Sequence, residues 1–286
     1  MKRVLITGDK SYVGTNVERW LNKSPELFQV DTVSTFNEEW KKADFSKYDV
    51  VFHVAGLAHQ RITKEKEPLY YEINRDLAYD IALCAKIAGI KQFIFMSSMS
   101  VYNDNTTYID EKTATEPSNA YGKSKLQAEQ LISQLNTESF IVTIVRPPMI
   151  YGKGCKGNYN SLRKLALKLH IFPKVDNKRS MLFIDNLCEF IRCIIISPEQ
   201  GFFFPQNREL VNTSEWAALI AKEHGRKLYL SRLLGKCVKI GRVLPFIGSY
   251  CEKAFGDSFY EPRLSKTNEY DYQITDFEES IRKTEQ

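Results

Sequence analysis

The sequence is poor in features that would tie it to a membrane, a disulfide scaffold or a metal. No uninterrupted apolar run approaches the roughly 20 residues that a bilayer-spanning helix needs. The six cysteines, Cys84, Cys155, Cys188, Cys193, Cys237 and Cys251, are scattered and form no C-x-x-C pair. They read as reduced thiols of a cytosolic protein, without metal-ligand spacing. The four histidines are equally dispersed, so no metal site is expected. Acidic residues are nearly as numerous as basic ones, 35 against 40, a formal charge of +5. No long Lys/Arg block is present, and nucleic acid is not expected as a partner. The mild excess suits an anionic small molecule such as a nucleotide. The chain enters an apolar strand at once, with no signal-peptide pattern, and a cytoplasmic location is expected. Internal repeats and low-complexity linkers are also lacking.

What is present is the composition of a globular protein, 43% hydrophobic and 26% charged over 286 residues. That length suits one large domain or two modest ones. Apolar runs and helical spacings alternate through the first half. Strands are predicted at 3–7, 28–33, 48–54, 92–96 and 140–145. Helices are predicted at 13–22, 69–88 (stopped by Gly89) and 121–135. Runs that are apolar throughout, rather than alternating, imply strands covered on both faces. The expected fold class is α/β, a Rossmann-type doubly wound parallel sheet with a smaller mixed C-terminal lobe.

After Pro148 the character changes. Residues 151–160 read as a Gly, Tyr and Asn-rich loop, followed by a helix at 160–169. Ser180 to Ile184 reads as a strand returning to the main sheet, with Asp185 capping a helix through Ile195. A further helix is expected from Ser214 to before Gly225. The expected division is a dinucleotide-binding domain at 1–150, to which 180–198 return, and a substrate-binding lobe formed mainly by 151–286. From Leu233 to Phe255, Lys and Arg alternate with apolar residues. That stretch suits either a packed lobe helix with snorkelling lysines or a contact with an anionic membrane surface, the former being preferred.

Thr7-Gly8-Asp9-Lys10-Ser11-Tyr12-Val13-Gly14 follows the first strand. Gly8 allows a tight turn and Gly14 a close approach of helix to sheet, while Ser11 stands where the usual triplet has its middle glycine. Backbone N–H groups at the helix start, around Ser11, Tyr12 and Val13, then face a pyrophosphate. Sheets of this kind usually carry an acid at the end of the second strand, against the ribose 2′-hydroxyl. Asp31 is one register. The favoured register runs to Val33 and ends in Ser34-Thr35, without a carboxylate. Such an end does not repel a 2′-phosphate, so NADP(H) is as suitable as NAD(H). Asp44 and Phe45 are candidates beside the adenine, and Val54, Ala55 and Gly56 follow the third strand.

Tyr121 and Lys125 stand four apart, which on a helix places phenol and ammonium on one face. A free phenol titrates near about 10, and a neighbouring ammonium favours its ionised form. On its own such a pair is usually a solvated helix face. Here it follows a nucleotide-type turn and the serine-rich strand end Ser97-Ser98-Met99-Ser100.

Six segments in order resemble the extended short-chain dehydrogenase/reductase family of nucleotide-sugar epimerases, dehydratases and reductases. They are Thr7-Gly8 to Gly14, His53 to Gly56, Phe95 to Tyr102, Tyr121 to Lys125, Arg146 to Gly152, and Arg179 to Leu187. The resemblance covers residues 1 to about 200. The run from Arg146, with Cys155, Gly157 and Asn158, is similar to bacterial capsule and O-antigen enzymes that reduce UDP-linked 4-keto-6-deoxy-N-acetylhexosamines.

The resemblance implies Ser98 as the catalytic serine, Tyr121 as proton carrier and Lys125 as partner of the nicotinamide ribose. It implies Pro148 beside the cofactor and Ser100, Asn158 and Arg179 toward the sugar diphosphate. Asn74 suits a role in helix geometry or water binding, or none. His53 and His59 lie near the cofactor edge with no assigned proton. The implied reaction is C4 reduction of a UDP-sugar by NAD(P)H in surface polysaccharide biosynthesis. The alternatives are a UDP-hexose or UDP-HexNAc 4-epimerase with tightly bound NAD, and a non-catalytic dinucleotide-binding protein. A 4,6-dehydratase is disfavoured, because Met99 and Ser100 occupy the positions of its acid pair. A homodimer through the Tyr121 helix is a further implication.

Overall fold

The computed structural model describes residues 1–58, 65–244, 247–267 and 270–286. His59 therefore lies outside the described residues.

The first strand, β1 (Lys2–Thr7), is followed by α1 (Tyr12–Leu21), β2 (Phe28–Val33) and β3 (Val50–His53). The expected long helix is divided into α2 (Glu67–Tyr71), one π-helical turn at Glu72–Asp76, and α3 (Leu77–Ile87). Gly89, at φ +81°, ends it as expected. Then come β4 (Gln92–Met96), β5 (Tyr108–Ile109), α4 (Ala120–Ser133), β6 (Ile141–Val145) and β7 (Met149–Tyr151). The C-terminal part adds α5 (Asn158–Lys168), β8 (Ile171–Pro173), β9 (Met181–Phe183), α6 (Ile184–Ile196), β10 (Gly201–Phe203) and α7 (Thr213–Glu223). It closes with β11 (Tyr229–Ser231), α8 (Arg232–Arg242), α9 (Gly248–Phe255), β12 (Phe259–Tyr260) and α10 (Phe277–Glu285).

The main sheet is parallel, in the order β10-β6-β4-β3-β1-β2. Successive residues of one strand enter opposite cores. Val4 and Ile6 join one cluster with Val17, Leu21, Leu187 and Ile191, under α1 and α6. Leu5 joins the other with Ala78, Ile81, Ala82, Ala128 and Ile132, under α3 and α4. Burial on both faces is the physical reason these strands read as unbroken apolar runs.

Two expectations are corrected. The strand at 180–184 does not return to the main sheet, since β9 pairs with β7 in a separate two-stranded ladder. The sixth place in the main sheet goes to β10, beside β6. β10 is short and begins at Gly201, so it left little periodic signal. Asp185 does not cap α6. The cap position is Phe183, and Asp185 sits inside the first turn, 3.7 Å from Lys283. There its charge complements the positive end of the helix.

Tyr151 joins the lobe to the sheet. Its ring stacks on Tyr159 (centroids 6.0 Å apart, 7° between planes) and meets Trp216 edge-on. Its hydroxyl is bonded to Ser280 of α10 at 2.5 Å and to Asn207 at 2.9 Å.

Candidate active site

Ligands of open parallel sheets gather where the strand order reverses, outside the carboxyl ends. Here β2 lies on one side of β1 and β3 on the other, so the crevice opens between β1 and β3. Gly8 closes it from below with φ +117°. A Cβ at Gly8 would sit 2.9 Å from the Ala55 nitrogen. One at Gly14 would meet the Gly8 carbonyl at 3.0 Å and a Val54 methyl at 3.1 Å. The glycines are thus needed because the turn after β1 and the loop after β3 touch backbone to backbone.

Ser11, in the place of a middle glycine, is the N-cap of α1. Its hydroxyl accepts from the Gly14 N–H at 2.9 Å. Tyr12 and Val13 begin the helix, where N–H groups have no intrahelical acceptor. The Tyr12 side chain turns inward. Its hydroxyl is buried without a hydrogen-bond partner among the described residues, and burial pushes its pKa far up. What Tyr12 offers at the crevice is backbone.

β2 ends in the favoured register. Thr7 is level with Val33, and the Gly8 N–H donates to the Val33 carbonyl at 3.0 Å. Ser34 is therefore the first residue beyond the strand, and its hydroxyl accepts from the Phe36 N–H at 3.3 Å. Asp31 is level with Leu5 and accepts from the Tyr48 hydroxyl at 3.1 Å, away from the strand end. Asp44 caps the short turn after it through the Ser46 N–H and stays exposed. The Phe45 ring is buried edge-on against Trp40, so only its backbone and the Asp44 carboxylate are left at the surface.

Ser98 begins a single 3₁₀ turn after β4. Its hydroxyl accepts from the Ser100 N–H at 3.1 Å and donates to the Ser100 hydroxyl at 3.2 Å. Tyr121 and Lys125 lie on α4, which Asn119 caps by accepting from the Gly122 N–H at 3.0 Å. The Tyr121 ring meets Tyr70 edge-on at 6.3 Å. Burial raises the phenol pKa, and the Ser98 hydroxyl beside it offsets only part of that. The net shift of the phenol is upward, opposite in direction to the one a neighbouring ammonium favours. The Lys125 ammonium donates to the Met96 carbonyl at 2.8 Å and lies 4.7 Å over the Phe95 ring. Burial lowers it to about 8, with Glu129 opposing.

Of three groups behind the pair, Asn74 and Arg146 were noted in the sequence and Glu129 was not. Glu129 follows Lys125 by one helical turn and is buried. It accepts from Arg146 at 3.0 and 2.6 Å and from the Ser97 hydroxyl at 2.5 Å. Arg146 also donates to the Tyr102 hydroxyl at 2.9 Å. The i, i+4 spacing of Lys125 and Glu129 was the one available hint. Asn74, on the π turn, accepts from the Leu57 N–H at 2.7 Å and donates to the Ser124 hydroxyl at 3.1 Å. It ties the loop after β3 to α4.

Pro148 is buried beside the Pro147 carbonyl, which accepts from the Met99 N–H at 2.9 Å. Asn158 is exposed at the first residue of α5, after Gly157 at φ +104°. Arg179 is already engaged, donating to the Lys253 and Gly256 carbonyls at 2.9 and 3.3 Å. His53 is wholly buried, bonded through Nδ1 to the Thr7 hydroxyl at 2.7 Å, and burial lowers it to about 3. It is a neutral core residue. No cluster of metal-ligating side chains occurs among the described residues.

A family model for the NAD dependent epimerase/dehydratase family matches residues 4–202. The chain belongs to that family. Its cofactor class is accordingly a nicotinamide dinucleotide, and the bare glycine cradle under the start of α1 fits a pyrophosphate. A UDP-glucose 4-epimerase of Vibrio cholerae is 32% identical over 249 residues, 77% of this chain and 75% of that protein. An N-acetyl-α-D-glucosaminyl-diphospho-ditrans,octacis-undecaprenol 4-epimerase of Escherichia coli O157:H7 is 31% identical, over 70% of this chain and 65% of that protein. Among solved structures, UDP-glucuronic acid 4-epimerase of Bacillus cereus, with UDP-glucuronic acid and NAD, superposes with TM-score 0.72. It is 17% identical, over 99% of this chain and 97% of that one. The dTDP-4-dehydrorhamnose reductase of Bacillus anthracis, with NADP, gives 0.65 at 22% identity, over 80% and 84%. Nucleotide-sugar epimerase or reductase chemistry is the activity class of the family to which the chain belongs.

Proposed function

We propose that the protein reduces the C4 ketone of a UDP-4-keto-6-deoxy-N-acetylhexosamine with NADPH or NADH, in surface polysaccharide biosynthesis. The observation that carries this reading is the placement of Tyr121 beside Ser98, on a helix whose Gly122 packs on the Ser100 carbonyl. Burial shifts the phenol pKa upward, toward the protonated form an acid needs when a ketone oxygen gains negative charge. The bound nicotinamide would supply the hydride. Tyr121 would give its proton to the C4 oxygen, and Ser98 would hold that oxygen by a hydrogen bond. Lys125 would bind the ribose hydroxyls. Ser34 in place of a carboxylate supports NADPH as a substrate that binds and leaves.

On the sugar side, Asn158 at the exposed start of α5 would donate to the diphosphate. Arg179 would add charge through nitrogens that its two carbonyl bonds leave over. Ser100 would contact the sugar beside Ser98.

A 4-epimerase is the second reading, favoured by the 4-epimerase activities of both sequence relatives. One of those names a polyprenyl-diphosphate sugar, so the diphosphate, rather than uridine, is the shared feature. Mixing the protein with the keto-sugar nucleotide and NADPH or NADH, and following nicotinamide absorbance, separates the readings. Stoichiometric oxidation establishes the reductase. Interconversion of UDP-GlcNAc and its 4-epimer without net oxidation establishes the epimerase, and silence in both removes the proposed substrate class.

A further inference from the structure

Helix α8 is turned the opposite way from an ordinary lobe helix. Its inward side is glycine. Gly235 is buried, and a Cβ there would lie 2.0 Å from the Lys174 carbonyl oxygen. Gly241 is buried against the Cys251 sulfur. The large apolar side chains point outward instead. Leu233 is 71% exposed and Ile240 61%. With exposed Cys237 they stand at i, i+4 and i+7, one stripe along the helix. Beyond the helix end Val243, 81% exposed, and Ile247 and Tyr250 also present apolar surface to solvent. Snorkelling lysines over a packed apolar face do not account for Leu233 and Ile240, whose side chains are in water.

The charge of the same face is one-sided. Residues 226–251 contain six basic residues and no acidic one. On the helix wheel Arg232, Lys236 and Lys239 run together along one side of the stripe, and all three are exposed. Arg242 alone of the α8 cations is ion-paired among the described residues, with Glu252 at 2.5 Å. A second copy of the chain would bring like charges together across the stripe. An apolar strip bordered by unpaired cations, with a tyrosine at its end, matches an anionic lipid surface.

We propose that the α8–α9 face docks the protein on anionic phospholipid membranes. Leu233, Ile240 and Val243 enter the acyl boundary while Arg232, Lys236 and Lys239 meet the headgroups. No helix of the described residues is long and apolar enough to cross a membrane, so the contact is peripheral.

Flotation of the full chain with vesicles tests this. The protein is expected to float with phosphatidylglycerol/phosphatidylcholine vesicles and not with phosphatidylcholine alone, and to be released by salt. The pair Leu233→Ser with Ile240→Ser, and the pair Lys236→Glu with Lys239→Glu, are each expected to weaken partitioning about tenfold or more. A polarity-sensitive fluorophore on Cys237 should shift to the blue with the anionic vesicles, and it locates the contact even where a variant fails to fold. No flotation, flotation untouched by either pair, or an unshifted Cys237 probe overturns the proposal. So does a dimer that Leu233→Ser dissolves, which would assign the face to a second copy.

Discussion

Gly122 lies bare against the Ser100 carbonyl. A Cβ at Gly122 would be 2.1 Å from that oxygen and 2.7 Å from the Pro117 side chain. The helix carrying Tyr121 and Lys125 is thereby seated directly on the turn carrying Ser98 and Ser100. Gly122→Ala must push the two apart. It is expected to lower kcat about 100-fold through misplacement of Tyr121, with a stability loss of about 1–3 kcal/mol from overpacking. Steady-state kinetics and urea unfolding measure both; an unchanged kcat would show that the turn yields freely.

Tyr121→Phe keeps the ring and its contact with Tyr70 but removes the proton. Turnover should fall at least about 100-fold, while cofactor affinity by fluorescence titration stays within a few-fold. Near-normal turnover would remove Tyr121 as the proton carrier.

Ser34 stands just past the end of β2, beyond Val33. Ser34→Asp places a carboxylate there, and repulsion of a 2′-phosphate should shift the ratio of NADPH to NADH affinity about tenfold or more toward NADH. An unmoved ratio would mean that the adenosine ribose lies elsewhere.

Lys125 is lowered from 10.5 to about 8 in the fold. Between those values the unfolded chain binds the extra proton. Stability due to this group therefore rises as pH increases from about 8, and is flat below it. The wild type minus Lys125→Met difference in unfolding free energy should climb between pH 8 and 10. A flat difference would mean that the buried ammonium is not perturbed.

The Glu129–Arg146 pair is almost fully buried, and Glu129 also receives the Ser97 hydroxyl. Glu129→Gln leaves the guanidinium without its counter-charge, at an expected cost of about 3–5 kcal/mol. Adding Arg146→Met should restore part of it. Chemical denaturation of the single and double variants decides the coupling.

Local spacing was enough for much of this molecule. The main-sheet strands up to β6, the glycine turn and the Tyr121/Lys125 face were legible because periodicity and turn chemistry act within a few residues, whereas the two-residue β5 was not. Gly8 and Gly14 were readable for the same reason. Even the end of β2 at Val33, with Ser34 beyond it, followed from where the apolar run stops.

Tertiary structure alone decided the rest, because burial and partner choice depend on residues distant in the chain. β9 pairs with β7, and β10 takes the sheet edge, since strands of three residues are directed by neighbours more than by their own pattern. Phe45 is a core ring because Trp40 covers it. Burial sets the Tyr121 pKa, while Lys125, four residues on, donates to the Met96 carbonyl. On α8 the alternation of Lys and Arg with apolar residues suited either a packed lobe helix or a membrane contact. Only the packing of Gly235 on Lys174 determined that its apolar side faces outward.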